Sequence, residues 1–190
     1  DALLTDIQDI LAWCQDAVTF NENIHTTHPE HQGFATLHTN FMSMVGSGGE
    51  LELYHGGLRA RSANGATIFD QFDYRGYQDI IREEVRSWSY MKFPYLTTLG
   101  KEQGWYRVGP LARVNNCDSI ATPLAEAARK RFKEFGHGSF VHDTLAYHWA
   151  RMIETLHCAE SIFTLLHDAD ITGTELVATH GEKRSVGIGV

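Results

Sequence analysis

The sequence predicts an α+β fold that is predominantly helical. Two segments repeat apolar residues every three or four positions, which is typical of amphipathic helices, and a segment between them alternates apolar and polar residues, which is typical of β strands. At 190 residues the chain has the length of one domain. We expect a single segment divided as follows: a helix at 1–22, a β meander at 46–72, a helix, an irregular stretch and a second helix at 75–138, a long helix at 139–168, and short strands at 174–190.

The predicted first helix carries one apolar stripe. Its members step by three and four residues: Leu4, Ile7, Leu11, Cys14 and Val18. This spacing places the Cys14 thiol in the core rather than at a reactive surface.

A polar stretch follows, and Pro29 and Gly33 mark it as a loop. It holds three histidines at a spacing of three residues, His25, His28 and His31. Imidazoles are common metal ligands. Because a loop does not align three rings, solvent-exposed histidines are favoured here over a metal site.

The β meander is predicted from alternation and from turn residues. Leu51 and Leu53 alternate with glutamates, and Asn64-Gly65 supplies a hairpin turn. We therefore expect a small antiparallel sheet over this segment.

The segment from 75 to 138 returns to helical spacing at its two ends. Apolar residues from Tyr77 to Trp88 predict one helix. A second helix is expected from Pro123, with Thr122 as its N-cap, to Phe135. Residues 91–121 show no regular period.

The longest helix is predicted at 139–168, where apolar residues recur from Val141 to Leu166. Four histidines lie on it, and none has the i, i+4 spacing that would hold one metal from one helix face. We expect core or interface histidines, with His148 on the buried side, at the following positions: His142, His148, His157 and His167. The sequence begins at Asp1 and stops in an apolar run at Val190, so we expect it to be cut at both ends.

Composition narrows the function classes. The chain has 43% hydrophobic and 21% charged residues and a formal net charge of −8, which argues against a nucleic-acid surface. The densest basic run, Arg129 to Lys133, shares its helix with glutamates and is predicted to be a solvated face. No window has the apolar length of a membrane span. Three widely spaced cysteines, one of them Cys117, fit a reducing compartment, so a cytoplasmic location is expected.

Two groups of charged residues remain as candidates. Glu83 and Glu84 with Asp79 could form an acid/base pair, but solvated carboxylates are favoured. Lys92 lies among aromatic residues, so we expect its amine to be partly buried and paired.

Two arginines flank a Gly-Pro corner, with Arg107 before it and Arg113 after it. Buried guanidinium groups need acceptors, and Gly109-Pro110 turns the backbone away from regular pairing. This predicts an ordered segment that either clamps neighbouring elements or lines a site, and the residues alone leave both open.

Several motifs resemble one enzyme family. They are SWSYMKFPY at 87–95, YRVGPLARVN at 106–115, TPLA at 122–125, DADITG at 168–173 and the final SVGIGV. The chain resembles the large subunit of nickel-iron hydrogenases, in the cytoplasmic, bidirectional, NAD-reducing subgroup. The resemblance implies a scaffold portion of that subunit, since both Cys-x-x-Cys pairs that hold the metals in this family are absent from the chain.

The resemblance also implies roles for particular residues. None is catalytic. One group is expected to pack around the metal centre without touching it: Arg107, Gly109, Pro110, Arg113 and Asn115. Glu83 and Lys92 match residues that hold the water shell of a divalent cation, Mg²⁺, in relatives.

For the parent protein, the resemblance implies reversible dihydrogen oxidation coupled to NAD reduction. It further implies a nickel-iron centre, a small subunit with iron-sulfur clusters, and NAD-reducing diaphorase subunits as partners. The isolated chain is expected to hold no cofactor, to be inactive and to form homo-oligomers through its first and longest helices. The alternative is a degenerate homologue that acts as a helical interaction or assembly module without redox activity.

Overall fold

The computed structural model describes residues 2–177, 181, 183 and 185–189. The helices are α1 Ala2–Thr27, α2 Tyr77–Ile80, α3 Gly100–Gln103, α4 Pro110–Asn116, α5 Pro123–Phe135 and α6 Ala146–Leu166. The strands are β1 Asn40–Val45, β2 Gly57–Arg61, β3 Thr67–Phe72, β4 Ile81–Val85, β5 Lys92–Leu96 and β6 Tyr106–Arg107. This arrangement confirms the predicted α+β class, and more residues lie in helices than in strands.

Four of the strands form one sheet in the order β3-β2-β1-β6. β1 pairs antiparallel with β2, β2 pairs antiparallel with β3, and the short β6 lies parallel to β1. β4 and β5 form a separate two-stranded antiparallel sheet. α4 packs against β1 and so joins the four-stranded sheet to the helices.

The main core lies between the long helices. α1, α4 and α5 pack around α6, and Trp149 of α6 is 1% exposed at the centre. Phe132 of α5 meets the Trp149 ring edge-on, with ring centroids 5.1 Å apart. Burying aromatic side chains of this size contributes most of what holds such a core together.

The first helix is longer than predicted. It continues to Thr27, so His25 lies on a helix and not in a loop. The His25 side chain is buried beside Trp149, at 5.5 Å between ring centroids, because it falls on the same stripe as Cys14 and Val18. The expectation of three exposed histidines is therefore wrong for His25.

The meander begins earlier than predicted. Its first strand is Asn40–Val45, upstream of the predicted start at Gly46, and Leu51 forms only an isolated bridge with Val45. Nearly all of this strand is buried, so polar and apolar residues do not alternate along it. The alternation that predicts a half-buried strand is therefore absent here. The Asn64-Gly65 turn between β2 and β3 is confirmed, with Gly65 at φ 84°.

The helix predicted from Tyr77 to Trp88 is wrong. Only Tyr77–Ile80 is helical, and the chain then forms the β4-β5 hairpin. The spacing of the apolar residues in this segment fits a helix or a strand. Hydrogen bonding to β5 selects the strand.

The segment expected to be irregular contains a buried helix. α4 begins at Pro110, directly after the Gly-Pro corner, and its residues Leu111, Ala112 and Val114 are fully buried. Proline suits the first position of a helix, because its missing N–H is one that a helix start leaves unpaired.

The long helix α6 is confirmed but starts at Ala146, seven residues after the predicted start. His142 therefore precedes it and is buried, whereas His148 is exposed and not on the buried side. Among the described residues of 174–190, none lies in a strand; the remaining positions of the predicted strands, Ala178 to His180, Glu182, Arg184 and Val190, lie outside the described residues.

The basic run on α5 is only partly solvated. Arg129 is 8% exposed and donates two hydrogen bonds to Glu126, at 2.7 and 2.8 Å. Lys133 points inward, while Lys130 and Arg131 face solvent. The predicted solvated face is thus wrong for two of its four members, because Arg129 is buried against Glu126 and Lys133 donates to the Asn115 carbonyl of α4.

The start of α5 is capped by a neighbouring helix. Thr122 does not cap it, because its hydroxyl contacts the ring of His157. Instead the buried carboxylate of Glu160 on α6 accepts hydrogen bonds from the backbone N–H groups of Leu124 and Ala125, both at 2.9 Å. The carboxylate also lies at the positive end of the helix dipole.

Replacing Glu160 by alanine is expected to lower the free energy of unfolding by about 1.5 kcal/mol, because two N–H groups lose their acceptor. Urea unfolding followed by circular dichroism measures this change. The exposed Glu134 on α5 provides the control, and its replacement by alanine should change the midpoint little. Equal effects of the two substitutions would contradict the capping role.

Candidate functional site

The Arg107 side chain is directed into the protein. Its guanidinium donates to the backbone carbonyl of His142 at 2.6 Å and to the Thr144 hydroxyl at 3.3 Å. It also lies over the Tyr147 ring, 5.8 Å from the centroid. Burial lowers the pKa of this guanidinium, though it stays charged. Arg107 thus ties β6 to the segment before α6.

Gly109 makes the turn that separates the two arginines. Its φ of 78° lies in the left-handed region, where a side chain costs free energy. The space beside it is ordinary, since an added Cβ would meet Tyr147 at 3.9 Å. The backbone conformation, and not crowding, therefore requires glycine here.

Arg113 forms a bidentate ion pair with Glu154. The two hydrogen bonds from its guanidinium to the carboxylate measure 2.6 and 2.8 Å. The Glu154 side chain is 9% exposed and that of Arg113 is 29% exposed. The hydrogen bonds to Glu154 raise the pKa of Arg113, so the cation is fixed at physiological pH.

Asn115 of α4 contacts Val141 through its side chain and Lys133 of α5 through its backbone carbonyl. Its amide donates to the Val141 carbonyl at 2.9 Å and accepts from the Val141 N–H at 3.2 Å. Its own carbonyl accepts from the Lys133 ammonium at 2.6 Å. Asn115 is fully buried, so these contacts leave it no contact with solvent. Its expected role in packing around a metal centre stays a prediction.

A cavity of about 520 Å³ lies beside the second arginine. Most of its wall is apolar, and the polar groups include the Arg113 guanidinium and the Glu52 carboxylate. The cavity is lined by Met42, Ser43, Met44, Glu52, Leu53, Leu58, Tyr77, Ile81, Val108, Gly109, Arg113, Gly187, Ile188 and Gly189. Its size and mixed lining are those of a small-ligand site.

The Glu52 carboxylate stays ionised at this wall. Burial alone would raise its pKa, but N–H groups of Tyr54, His55 and Leu53, at 2.8 to 3.0 Å, outweigh burial and hold the pKa below its ordinary value. The wall therefore presents one fixed anion and one fixed cation.

The structure brings Glu83 and Lys92 together. Glu83 of β4 is opposite Pro94 of β5, so Lys92 is its diagonal neighbour on the same face of the hairpin. Their charged groups are 2.9 Å apart. The hydrogen bond to Glu83 raises the pKa of Lys92. Pairing of Lys92 is confirmed, but its partial burial is not, because the side chain is 60% exposed.

The resemblance implies metal groups for the parent protein and no direct metal ligands in this chain. Within 2–177, 181, 183 and 185–189, no three His, Cys, Asp or Glu side chains come together in a metal-binding group. Cys14 and Cys117 are buried and Cys158 is exposed, and none is bonded to another cysteine. The nickel-iron centre and the Mg²⁺ shell at Glu83 and Lys92 stay predictions.

Three residues of the site were not predicted from the sequence. They are Glu154, which pairs with Arg113, Lys133, which donates to Asn115, and Glu52, which lines the cavity. A signal existed for Glu154, because it lies four residues after the buried Ala150 and so on the edge of the buried face of α6. No comparable signal marked Glu52.

In the part of the chain that the structure describes, no helix combines the length and apolar character needed to cross a membrane.

Comparison with known proteins shows that the chain is similar in sequence to hydrogenase subunits. No protein-family model matches it. The beta subunit of the NAD-reducing hydrogenase HoxS of Cupriavidus necator is 40% identical over 188 residues, which cover 98% of this chain and 38% of that protein. The vhu subunit of the F420-non-reducing hydrogenase of Methanococcus voltae is 35% identical over 192 residues, or 100% of this chain and 45% of that protein.

A solved structure shares the fold. The crystal structure of an NAD⁺-reducing [NiFe]-hydrogenase in the H₂-reduced state contains a chain that is 48% identical, with a TM-score of 0.88. The match covers 96% of this chain and 41% of that chain.

These matches correct the predicted identity. The relatives are designated the beta subunit of HoxS and the vhu subunit of an F420-non-reducing hydrogenase. The predicted assignment to a nickel-iron large subunit is therefore wrong. The predicted function as a scaffold portion of that subunit is wrong for the same reason. Over nearly its whole length the chain is similar to part of these hydrogenase subunits, and it spans about two fifths of the length of the relatives it matches.

Proposed function

We propose that this chain is part of a hydrogenase subunit equivalent to the HoxS beta subunit, in an oxidoreductase that couples dihydrogen oxidation to NAD⁺ reduction. The observation that carries the proposal is the match at 48% identity and TM-score 0.88 to an NAD⁺-reducing hydrogenase. Identity to the HoxS beta subunit, at 40%, is higher than the 35% to the vhu subunit.

Within this enzyme, the segment from Arg107 to Arg113 fixes the shape of the cavity wall. Arg107 and Gly109 hold the start of α4 in place. The ion pair of Arg113 with Glu154 then holds the middle of α4 against α6. Both guanidinium groups are held by protein acceptors and are cationic at all working pH values. Their chemistry suits positioning and electrostatic stabilisation, and does not suit proton transfer.

A second candidate is a hydrogenase that does not use NAD⁺. The similarity to F420-non-reducing hydrogenase subunits extends over the whole chain, at 34 to 35% identity in two species. Both candidates share the fold and differ in the electron acceptor, so activity must separate them.

The experiment uses the complete complex that contains this chain, purified under hydrogen. Hydrogen-driven reduction is measured with NAD⁺ and, separately, with a viologen dye. We expect both acceptors to be reduced. Dye reduction without NAD⁺ reduction would favour the second candidate, and reduction of neither would overturn both. A cytoplasmic location and partner subunits that carry electrons to NAD⁺ are part of the proposal, and co-purification of those subunits tests them.

A further inference from the structure

Two histidine rings meet at a small cavity that the proposed function does not use. His38 lies in the loop before β1, and His142 lies in the segment before α6. Their ring centroids are 4.5 Å apart. The cavity beside them has a volume of about 220 Å³, and its lining includes both histidines and Asp143.

His142 is nearly completely buried, and only one of its ring nitrogens is hydrogen-bonded. The residue is 6% exposed. Its Nε2 lies 2.8 Å from the backbone carbonyl oxygen of Ala63, in the turn between β2 and β3. Because a carbonyl oxygen only accepts, Nε2 carries the hydrogen. The neutral ring then has its lone pair on Nδ1, and this atom is buried without a hydrogen-bond partner among the described residues.

These contacts orient His142 as a metal ligand. A histidine that binds a metal usually donates its other ring N–H to a backbone carbonyl or a carboxylate, which fixes the tautomer and the direction of the ring. The hydrogen bond to Ala63 does this for His142. A buried lone pair without a partner costs free energy, and a metal ion at Nδ1 would remove that cost.

The distance to His38 fits a shared metal ion. Zinc binds imidazole nitrogens at about 2.0–2.1 Å in a tetrahedral arrangement, and two imidazoles on one such ion have ring centroids roughly 5 Å apart. The observed separation is 4.5 Å. His38 is exposed and lies in a loop, so a small movement of its ring completes the geometry.

The charges beside the two rings have opposite signs. The Asp143 carboxylate is held at the cavity, because its Oδ1 accepts from the Gly33 N–H at 2.8 Å and from the Thr36 hydroxyl at 3.0 Å. The Arg107 guanidinium donates to the backbone carbonyl of His142 at 2.6 Å. We expect this anion and this cation to offset each other, so that the two imidazoles determine the affinity.

The His142 ring is neutral at about pH 7. Burial lowers its pKa, and the neighbouring His38 and Arg107 add to this effect. The carbonyls of Ala63 and Leu37 favour a proton on the ring, but they do not outweigh burial. Because only an unprotonated nitrogen binds a metal, protons compete with the ion for Nδ1.

We infer that His142, through Nδ1, and His38 bind one divalent transition-metal ion of the zinc type, and that water completes its coordination. Two protein ligands agree with the finding that no three acidic, thiol or imidazole side chains come together among the residues the structure describes. Structural and catalytic zinc sites have three or four protein ligands, so binding here is weaker and reversible. The ion ties the loop before β1 to the segment that accepts the Arg107 guanidinium.

Calorimetric titration of the full chain with Zn²⁺ tests the inference. We expect one ion per chain, with a Kd on the order of 10 µM at about pH 7.5. The affinity should fall by more than about tenfold at about pH 5.5, where protons occupy the imidazoles. In nitrogen NMR spectra of the histidine rings, Zn²⁺ should shift Nδ1 of His142 and leave its Nε2–H in place.

His38→Ala is the main variant, because His38 is exposed and its replacement leaves the core intact. We expect it to weaken Zn²⁺ binding by about tenfold or more. His142→Gln keeps an N–H donor for Ala63 but lacks Nδ1, and it should have the same effect. The exposed His148 of α6 lies outside the cavity, so His148→Ala is the matched control and should leave the affinity unchanged.

A second pair of histidines provides the alternative location. The rings of His28 and His31 are stacked with centroids 5.2 Å apart. The double variant His28→Ala with His31→Ala should bind Zn²⁺ as wild type does. Loss of binding in this double variant, together with unchanged binding in His38→Ala, would assign the ion to the second pair and overturn the inference. Absence of Zn²⁺ binding by the wild-type chain would overturn it as well.

Discussion

Replacing Glu154 by alanine is expected to lower the free energy of unfolding by about 3 kcal/mol. The substitution leaves the Arg113 guanidinium, with 29% of the side chain exposed, without the two hydrogen bonds that now satisfy it. Removing one partner of a buried pair is costly because the other charge stays behind unpaired. Partial exposure of Arg113 to water keeps the loss at the low end of that range. Urea unfolding followed by tryptophan fluorescence measures it.

The double variant Arg113→Met with Glu154→Leu separates pairing from packing. Removing both charges leaves no unpaired ion, so we expect the double variant to recover more than half of the stability lost in Glu154→Ala. If the double variant is as unstable as the single one, the loss comes from packing, and the ion pair is not what fixes α4 to α6.

The helical part of the fold could be predicted because its pattern is local. The stripe through Cys14 and Val18 located α1, and the Thr122-Pro123 signal located the start of α5. In each case residues three and four apart determine which face is buried. Helix ends were less predictable. α1 runs on to Thr27, because a polar stretch is compatible with a helix when one of its residues, His25, is buried against a neighbour.

The β4-β5 hairpin could not be predicted in the same way. Residues 81–85 fit a helix or a strand equally well by spacing, and the pairing with Lys92–Leu96 that selects the strand is not local. The hairpin nevertheless explains why Glu83 and Lys92, nine residues apart, meet. The resemblance names both residues, but the geometry that joins them is visible only in the structure.

The candidate site was found through its motif, while its partners were not. Arg107, Gly109 and Arg113 stand out because a Gly-Pro corner between two arginines is unusual in a patterned chain. Their acceptors, the His142 carbonyl and the Glu154 carboxylate, are 35 and 41 residues away in sequence. A side chain's need for an acceptor can be read from sequence, but which acceptor it finds depends on tertiary packing.

The second large effect concerns Lys133, and it is a dependence of stability on pH. Burial lowers the pKa of this amine from 10.5 to about 8. Its ammonium group donates to the Asn115 carbonyl at 2.6 Å and lies 4.6 Å above the Phe140 ring. The charged groups that face it are the Arg129 and Arg61 cations and Asp118, together with the Cys117 thiol.

The direction of the effect follows from proton counts. Between pH 8 and pH 10.5 the unfolded chain keeps the Lys133 proton while the folded chain has lost it, so stability rises with pH in that window. At lower pH the folded state bears the full cost of a buried cation. The slope approaches about 1.4 kcal/mol per pH unit once the folded amine is neutral.

The Cys117 thiol limits the window from above. Burial raises its pKa from 9.0 to about 11, so the folded chain keeps this proton between pH 9 and pH 11 while the unfolded chain loses it. That difference lowers stability as pH rises. Burial also raises the pKa values of Cys14 and Cys158, and together the three thiols offset the contribution of Lys133 above pH 9. We therefore expect the free energy of unfolding to rise by about 1 kcal/mol from about pH 7.5 to pH 9 and then to level off.

Lys133→Met isolates the amine. Methionine has a similar length and no charge, so the variant should be at least as stable as wild type at about pH 7 and should show no rise between about pH 7.5 and pH 9. Above pH 9 the contributions of the cysteines remain, chiefly that of Cys117, and the stability of the variant should fall. Urea unfolding at half-unit steps of pH, with the exposed Lys130→Met as control, measures both curves. A rise that persists in Lys133→Met would assign the pH dependence to another group, while a flat wild-type curve would mean that Asn115 and Phe140 compensate fully for the burial of the charge.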